Sequence, residues 1–361
     1  MAETRAVAAL TPQIWDDDVS VETFQSNPFS AYSGTGENNV IRMKEDLASK
    51  RADGITFEFI TRLERGAKTG RTTLKGNEQR LGEYGDKVFW DIRKEAISMH
   101  EMDTDLAAID LRAAARQSLR NWADEDIKFN VIDRLSDMGA LSNVPYADAT
   151  VAERNTWDTT NADRVFYARA ANRSAGNHSA SLANITNAHT LNRATVGGLK
   201  RLAVLANPKI TPIRVEEARN RRYFVLFVHP FTMRDIRNDI ESTRAAVNVV
   251  EQNKGIFSGG DIDYDGVIIH EVDDMPILAG VGSGSINVAP AFLCGVEALG
   301  WAVKSRFASR EDKDDYGQVQ GLGMLGKWGM KKLVYQFGTA DPTIIGRQRG
   351  VISAFFPAIS D

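Results

Sequence analysis

The feature that most constrains the fold is the long segment from Gly34 to Glu95, which is rich in glycine, charge and strand-forming residues. Within it, Ile55, Phe57 and Phe59 alternate with polar residues, the period of a strand with one apolar face. A second alternating stretch covers residues 87–93 and lies beyond a glycine-rich span. Two strands separated by so many turn residues predict a long, open β-hairpin.

Such a hairpin requires support, because two strands alone are only marginally stable in water. We therefore expect the face formed by Ile55, Phe57 and Phe59 to rest on a surface outside the hairpin, such as a neighbouring copy of the chain. If so, replacing Phe57 with Asp leaves a folded subunit that cannot assemble. A melted subunit would instead place this strand in the subunit's own core.

The hairpin runs directly into an unusually long helical pattern, predicted to cover about residues 96–136. Met99, Met102, Leu106 and Ile109 follow steps of three and four, which keeps one apolar stripe facing a core. Neither proline nor glycine interrupts the pattern before Gly139, a suitable C-terminal stop. A helix of this length would span about 60 Å at the usual rise per residue.

Several sequence motifs, in this order, resemble the major capsid proteins of tailed bacteriophages. They are Gly-Glu-Asn at 36–38, Asp-Gly-Ile-Thr-Phe at 53–57, Thr-Leu-Lys-Gly-Asn-Glu at 73–78 and the long helix. The narrower resemblance is to the podovirus-type branch of the Hong Kong 97-like coat proteins. A strand-His-Pro-helix unit at 222–240, a strand at 264–271, a glycine-rich stretch at 315–321 and a closing strand at 349–355 continue the resemblance.

This resemblance implies an α+β fold of the Hong Kong 97-like type, with five segments. They are an N-terminal arm (1–35), an extended hairpin or E-loop (36–95), a peripheral (P) domain with the spine helix (96–205), an axial (A) domain (206–325) and a return to the P domain (326–361). Residues 140–190, rich in Asn, Thr, Ala and Ser, depart from the family pattern and are expected to form a variable insertion.

The resemblance also implies that the chain builds a shell of hexamers and pentamers, an icosahedral virion capsid around double-stranded DNA that assembles in the host bacterial cytoplasm. Expected partners are other copies of the chain, scaffold, portal and decoration proteins, and weakly contacted DNA, but no membrane. The predicted inter-subunit contacts are Ile55, Phe57, Phe59, Leu74, Asn77 and Glu78; the predicted hinges are Gly34, Gly36, Gly82 and Gly85. No catalytic residue, cofactor or metal is expected.

Composition agrees with this interpretation. The chain of 361 residues is 43% hydrophobic and 25% charged, as in ordinary soluble proteins. Its single cysteine, Cys294, excludes an internal disulfide. A formal charge of −4 disfavours a dedicated nucleic-acid-binding protein, which is usually basic. The arginines at 214, 219, 221 and 222 are interrupted by Glu216 and Glu217, and we interpret them as a solvated turn.

Two motifs support an alternative function as a nucleotide- or metal-dependent enzyme. The stretch from Gly321 to Gly326 has the glycine spacing of a dinucleotide-binding loop, but no helix pattern follows it. The stretch from Asp261 to Asp265 opens like a calcium-binding EF-hand loop, but Val272 occupies the twelfth position, where a glutamate is needed. A structural glycine stretch and a tight hairpin turn are the favoured interpretations.

Other residues give weaker signals. His270-Glu271 resembles part of a zinc-protease motif, yet Asp274 stands where the second histidine should be. Cys294 lies among apolar neighbours, which favours an inert packed thiol. A minor virion or decoration protein remains a further alternative.

Overall fold

The computed structural model describes residues 27–45, 52–60, 67–75, 77–78, 82–106, 111–138, 144–215, 221–247, 257–258, 261–338 and 342–360. Its helices are α1 (Glu101–Leu106), α2 (Leu111–Ser136), α3 (Val151–Thr160), α4 (His178–Ala183), α5 (Arg193–Leu205) and α6 (Pro230–Val247). The predicted arm, residues 1–35, lies outside the described residues except for its end from Asn27 onward.

The strands are β1 (Ser33–Gly34), β2 (Ile41–Lys44), β3 (Gly54–Ile60), β4 (Glu83–Phe89), β5 (Asp91–His100), β6 (Val165–Tyr167), β7 (Ile213–Val215), β8 (Arg221–Val228), β9 (Phe257–Ser258), β10 (Asp261–Tyr264), β11 (Val267–Glu271), β12 (Val288–Cys294), β13 (Leu299–Asp314), β14 (Val319–Lys332), β15 (Phe337–Gly338) and β16 (Val351–Pro357). They form three sheets, which we call the central, ribbon and hairpin sheets.

The central sheet has eight strands in the order β6-β16-β12-β8-β11-β10-β9, with β7 paired to β8. Along β8, Phe224 and Leu226 point into one hydrophobic core, whereas Val225 and Phe227 point into a second. Because both faces of β8 are covered, its sequence is a continuous apolar run. Pro230 then begins α6, where its missing N–H costs nothing. The predicted strand-His-Pro-helix unit is confirmed.

The ribbon sheet has the order β1-β2-β13-β14-β5, and its main part is the long antiparallel pair β13 and β14, of 16 and 14 residues. Leu322, Met324 and Trp328 of β14 are buried in the second core. Helix α2, the spine helix, covers them with its own buried stripe, which includes Leu119 and Val131. The ribbon and the spine helix are thus joined by one apolar interface.

The spine helix begins later than predicted. Residues 91–100 form β5, which pairs along β14 with Ile97 opposite Leu322 and Met99 opposite Gln320. The helix itself covers residues 111–136, about 39 Å at 1.5 Å per residue, so the predicted start at 96 is wrong. Residues 94–96 have high helix propensity, which favoured the helix prediction. They form a strand instead, because pairing with the distant glycine-rich strand β14 outweighs local propensity.

The hairpin prediction is confirmed, although its second strand is shifted. Strands β3 and β4 pair antiparallel, from Gly54 opposite Phe89 to Ile60 opposite Glu83, and β15 adds a third strand. The second strand was predicted at residues 87–93. At Trp90 the chain leaves the hairpin sheet for the ribbon sheet, and the Trp90 indole N–H donates to the Ala52 carbonyl at 2.7 Å.

The segment predicted as an insertion is well structured from residue 144 onward. It contains α3, β6 and α4, and Trp157, Tyr167 and Leu182 lie in the first core. Thr150 and Asn177 act as the N-caps of α3 and α4. Thr150 forms a reciprocal capping box with Glu153 at the start of α3. The segment therefore consists of short capped helices together with the short strand β6.

Two of the predicted domain boundaries do not separate folding units. The boundary at 95/96 falls inside β5, and that at 325/326 falls inside β14. The closing strand β16 lies between β12, which was assigned to the A domain, and β6, which was assigned to the P domain.

Candidate assembly surfaces

The apolar face of the hairpin lies inside the subunit. Ile55, Phe57 and Phe59 are 8%, 0% and 2% exposed and form a third core with Leu333 and Tyr335. Side chains covered this completely by their own chain cannot also contact another subunit. The prediction that these three residues make inter-subunit contacts is therefore wrong, and we assign them to the subunit core.

A buried ion pair fixes the base of the hairpin to β14. Asp86 is fully buried and accepts hydrogen bonds from Lys331 Nζ at 2.5 Å and from the Val334 N–H at 3.0 Å. Burial raises the pKa of the Asp86 carboxyl, and the charge of Lys331 opposes this rise. Because removing one partner would leave an uncompensated buried charge, the pair holds the hairpin in place.

The hairpin tip, residues 67–75 and 77–78, is exposed throughout. Leu74 is 71% exposed. A turn presents it: the Asn77 N–H donates to the Leu74 carbonyl at 2.9 Å, and Asn77 Nδ2 donates to the Thr73 carbonyl at 3.0 Å. Leu74, Asn77 and Glu78 thus lie together on the surface of one turn, in a position to contact another molecule.

The four predicted hinge glycines lie in two settings. Gly34 belongs to β1, and a Cβ there would lie 2.6 Å from Asn39 Nδ2; Gly36 faces the same side chain. Gly85 lies within β4 between β3 and β15, and Gly82 is buried just before that strand. Close packing against Asn39 therefore explains the glycine at position 34. Pairing with β3 and β15 fixes the backbone at Gly85, so we no longer propose a hinge there.

Sequence reasoning missed a buried ion triad at the junction of the hairpin with the body. Glu297 is 2% exposed and bridges Arg42 of β2 and Arg349, just before β16. The Arg349 guanidinium also stacks 3.8 Å from the centre of the Phe59 ring. Glu297 adopts φ +54°, unusual for a side chain with a Cβ. The three charges come from segments far apart in sequence, so no local pattern reveals them.

Comparison with known proteins identifies the family of this chain. A family model described as phage capsid protein matches residues 6–344. The chain belongs to the phage capsid protein family. A major capsid protein of Pseudomonas phage KPP25 is 24% identical over 323 residues, 81% of each chain.

Solved capsid structures show the same fold. The asymmetric unit of the cyanophage Pam1 capsid aligns with a TM-score of 0.80 at 29% identity, and the capsid of Ralstonia phage GP4 aligns with 0.72 at 22% identity. Each comparison covers 92% of both chains. The expected Hong Kong 97-like α+β fold is confirmed. Capsid-family proteins are structural, so this chain is a shell component and not an enzyme.

The glycine motif of this capsid protein has a structural origin. Residues 321–326 lie inside β14, paired with β5 on one side and β13 on the other, and the chain continues from them along the same strand to Lys332. A dinucleotide loop must instead connect a strand to a helix. Among these glycines, Gly326 permits close packing, since a Cβ there would lie 2.9 Å from the Phe307 ring. The predicted alternative of a nucleotide site is wrong.

The aspartate motif forms the tight turn that was favoured. Asp265 and Gly266 connect β10 to β11 with φ of +51° and +73°, the backbone of a two-residue hairpin turn. Lys200 Nζ contacts Asp265 Oδ1 at 2.8 Å and so ties the turn to α5. Within the part of the chain that the structure describes, no group of three or more His, Cys, Asp or Glu side chains could hold a metal ion.

The remaining motif residues are packed into the body. His270 lies edge-on to Tyr32 and Phe227, with ring centres 5.8 and 6.0 Å apart. Cys294 is completely buried, and burial raises the pKa of its thiol. None of the helices in the described ranges combines the length and apolar character that a membrane span needs.

Proposed function

We propose that this chain is the major capsid protein of a tailed bacteriophage, of the podovirus type, and that its copies form the hexamers and pentamers of an icosahedral head around double-stranded DNA. The observation that carries the proposal, beyond family membership, is the contrast within the hairpin. Its base is fixed in the subunit core, whereas its tip presents Leu74 to solvent on a hydrogen-bonded turn. A hairpin with an anchored base and an exposed leucine at its tip is suited to contacting a neighbour.

In this proposal, assembly depends on the shape of the subunit, whose N-terminal arm and hairpin reach onto adjacent subunits. Burial of apolar surface supplies most of the contact energy, while charges on the hairpin set register and reversibility. The N-terminal arm serves as a second reaching element. Its end is anchored by Phe29, which is 2% exposed and packs edge-on against Phe227 at 5.0 Å.

The proposed capsid function also implies further partner proteins and a site of assembly in the cell. Scaffold, portal and decoration proteins are the further partners, and assembly occurs in the host bacterial cytoplasm, where a lone buried thiol remains reduced. Contact with packaged DNA is weak and independent of sequence, in keeping with the formal charge of −4.

Negative-stain electron microscopy with sedimentation velocity tests the proposal, on the chain expressed alone and together with a scaffold protein from the same phage. We expect closed shells, tubes, or free hexamers and pentamers. If only a compact monomer or dimer forms under every condition, with scaffold present, the proposal fails.

A further inference from the structure

A cavity of about 260 Å³ opens beside the C-terminal end of the spine helix. Its floor is a face of the central sheet, where Phe292 lies opposite Ser353 and Pro290 lies opposite Phe355. Small-molecule pockets usually measure about 300 to 1,000 Å³. This cavity is therefore suited to one or two protein side chains.

Two polar groups of the cavity lack partners. Ser353 is 2% exposed, and its Oγ makes no hydrogen bond within the described structure. Asp133, exposed at the mouth, forms no ion pair with any described residue; partial burial raises the pKa of its carboxyl, and the nearby charges of Arg134 and Arg93 partly oppose this rise. Because a buried hydroxyl without a hydrogen-bond partner is unfavourable, an occupant that offers such a partner is stabilised at this position. The mouth favours a cation.

The hairpin tip has the complementary chemistry. Leu74 stands 71% exposed between Arg71 and Lys75, both exposed and without an ion-pair partner among the described residues. Thr72 and Thr73 in the same turn carry hydroxyl groups that can pair with Ser353. Because every described tip residue is exposed, the tip does not occupy the cavity of its own subunit.

We propose that this cavity receives Leu74 from the hairpin tip of a second copy of the chain, with Arg71 or Lys75 of that copy paired to Asp133. The proposal rests on the proposed capsid function and names the receiving surface for the hairpin. The leucine fills the apolar floor, and the cation fixes the direction of entry.

Disulfide trapping tests the contact directly. Ala147 lines the cavity and is exposed, so Leu74→Cys combined with Ala147→Cys should give covalent ladders of subunits when assembled shells are oxidised. Cys294 is fully buried and does not compete. Each single variant, and Leu74→Cys combined with Leu205→Cys at a 78% exposed site elsewhere, should give no ladder.

The outcomes separate this proposal from the capsid function. Normal shells without a ladder overturn the cavity proposal and leave the function standing. A link from Ala147→Cys to a cysteine placed in the N-terminal arm, or to a scaffold cysteine, also overturns it, because another segment would then occupy the cavity. If the unmodified chain forms no particles under any condition, both proposals fail.

A charge exchange gives an independent test. Asp133→Lys should raise the free subunit concentration needed for assembly about tenfold, and the combination with Arg71→Asp and Lys75→Asp should restore it to within about threefold. Asp148→Lys, an exposed change outside the cavity, is the matched control and should have no effect. Equal loss of assembly in the single and combined variants would overturn the pairing.

Discussion

At the residue scale, a buried lysine side chain caps the C-terminal end of the spine helix. Lys332 is 3% exposed, and its Nζ donates to the carbonyls of Leu135 at 2.7 Å and Asp137 at 2.6 Å. These contacts satisfy helix C-terminal acceptors that have no partner within the helix. Asp137 is 2% exposed and accepts from Arg134 at 3.0 Å. Burial raises the pKa of Asp137 to about 6 and lowers the pKa of Lys332 to about 8.

Asp137 makes stability depend on pH in a defined direction. Its pKa of about 6 in the folded chain lies above the ordinary 3.8, so folded protein binds this proton more tightly than unfolded protein does. The contribution of Asp137 to the free energy of unfolding therefore rises as the pH falls from about 6 toward 4, and is least favourable above 6. We expect Asp137→Asn to be more stable than the parent by about 1–3 kcal/mol at pH 7.5.

Urea unfolding of the subunit at pH 7.5, 5.5 and 4.5 measures this effect, since the difference between parent and variant isolates one group. The difference should shrink as the pH falls. Asp148→Asn, at an exposed carboxylate, is the control. Loss of stability in Asp137→Asn at pH 7.5 would mean that the Arg134 contact outweighs the cost of burial.

At the element scale, the hairpin shows what a strand pattern can and cannot specify. Alternation correctly predicted that Ile55, Phe57 and Phe59 share a buried face. It carries no information about which surface covers that face. Leu333 and Tyr335, which lie more than two hundred residues later in the chain, cover that face within the same subunit.

Two variants separate the base of the hairpin from its tip. Phe57→Ala empties a fully buried site and should lower the free energy of unfolding by about 3–5 kcal/mol. Leu74→Asp changes a 71% exposed site, so subunit stability should stay within about 0.5 kcal/mol while shell assembly is lost. Urea unfolding and electron microscopy of both variants test this pair. Normal assembly by Leu74→Asp would refute a contact role for the tip.

The glycines of β14 make a second prediction for an element. A Cβ at Gly329 would lie 1.9 Å from the Phe89 carbonyl oxygen, whereas at Gly321 the nearest atom lies at 3.7 Å. We therefore expect Gly329→Ala to destabilise the subunit by about 1–3 kcal/mol through overpacking, and Gly321→Ala to be tolerated. Thermal unfolding of both variants measures the difference. Equal melting temperatures would contradict the close approach.

At the scale of the whole molecule, net charge limits the affinity for nucleic acid. With a formal charge of −4, the chain lacks the overall basicity that strong sequence-independent binding requires. A shell that released its DNA poorly would hinder ejection, so weak contact suits a container.

We accordingly expect the free subunit to bind double-stranded DNA with a Kd no tighter than about 10⁻⁵ M at physiological salt, with little preference for sequence. Fluorescence anisotropy with labelled duplexes of different sequence, over a series of salt concentrations, measures this. Submicromolar binding would show that a local basic surface dominates the net charge.

The sequence alone determined the elements whose signals are local. The apolar run at 224–228 before Pro230, the alternating strand at 54–60 and the Asp265-Gly266 turn are set by patterning, proline and glycine, and each could be predicted. Tertiary structure decided the rest, because the deciding partners are distant in sequence. Residues 91–100 became strand by pairing with β14, and the Glu297 triad joined three separated segments. The cavity beside Ser353 likewise exists only once sheet and helix have packed.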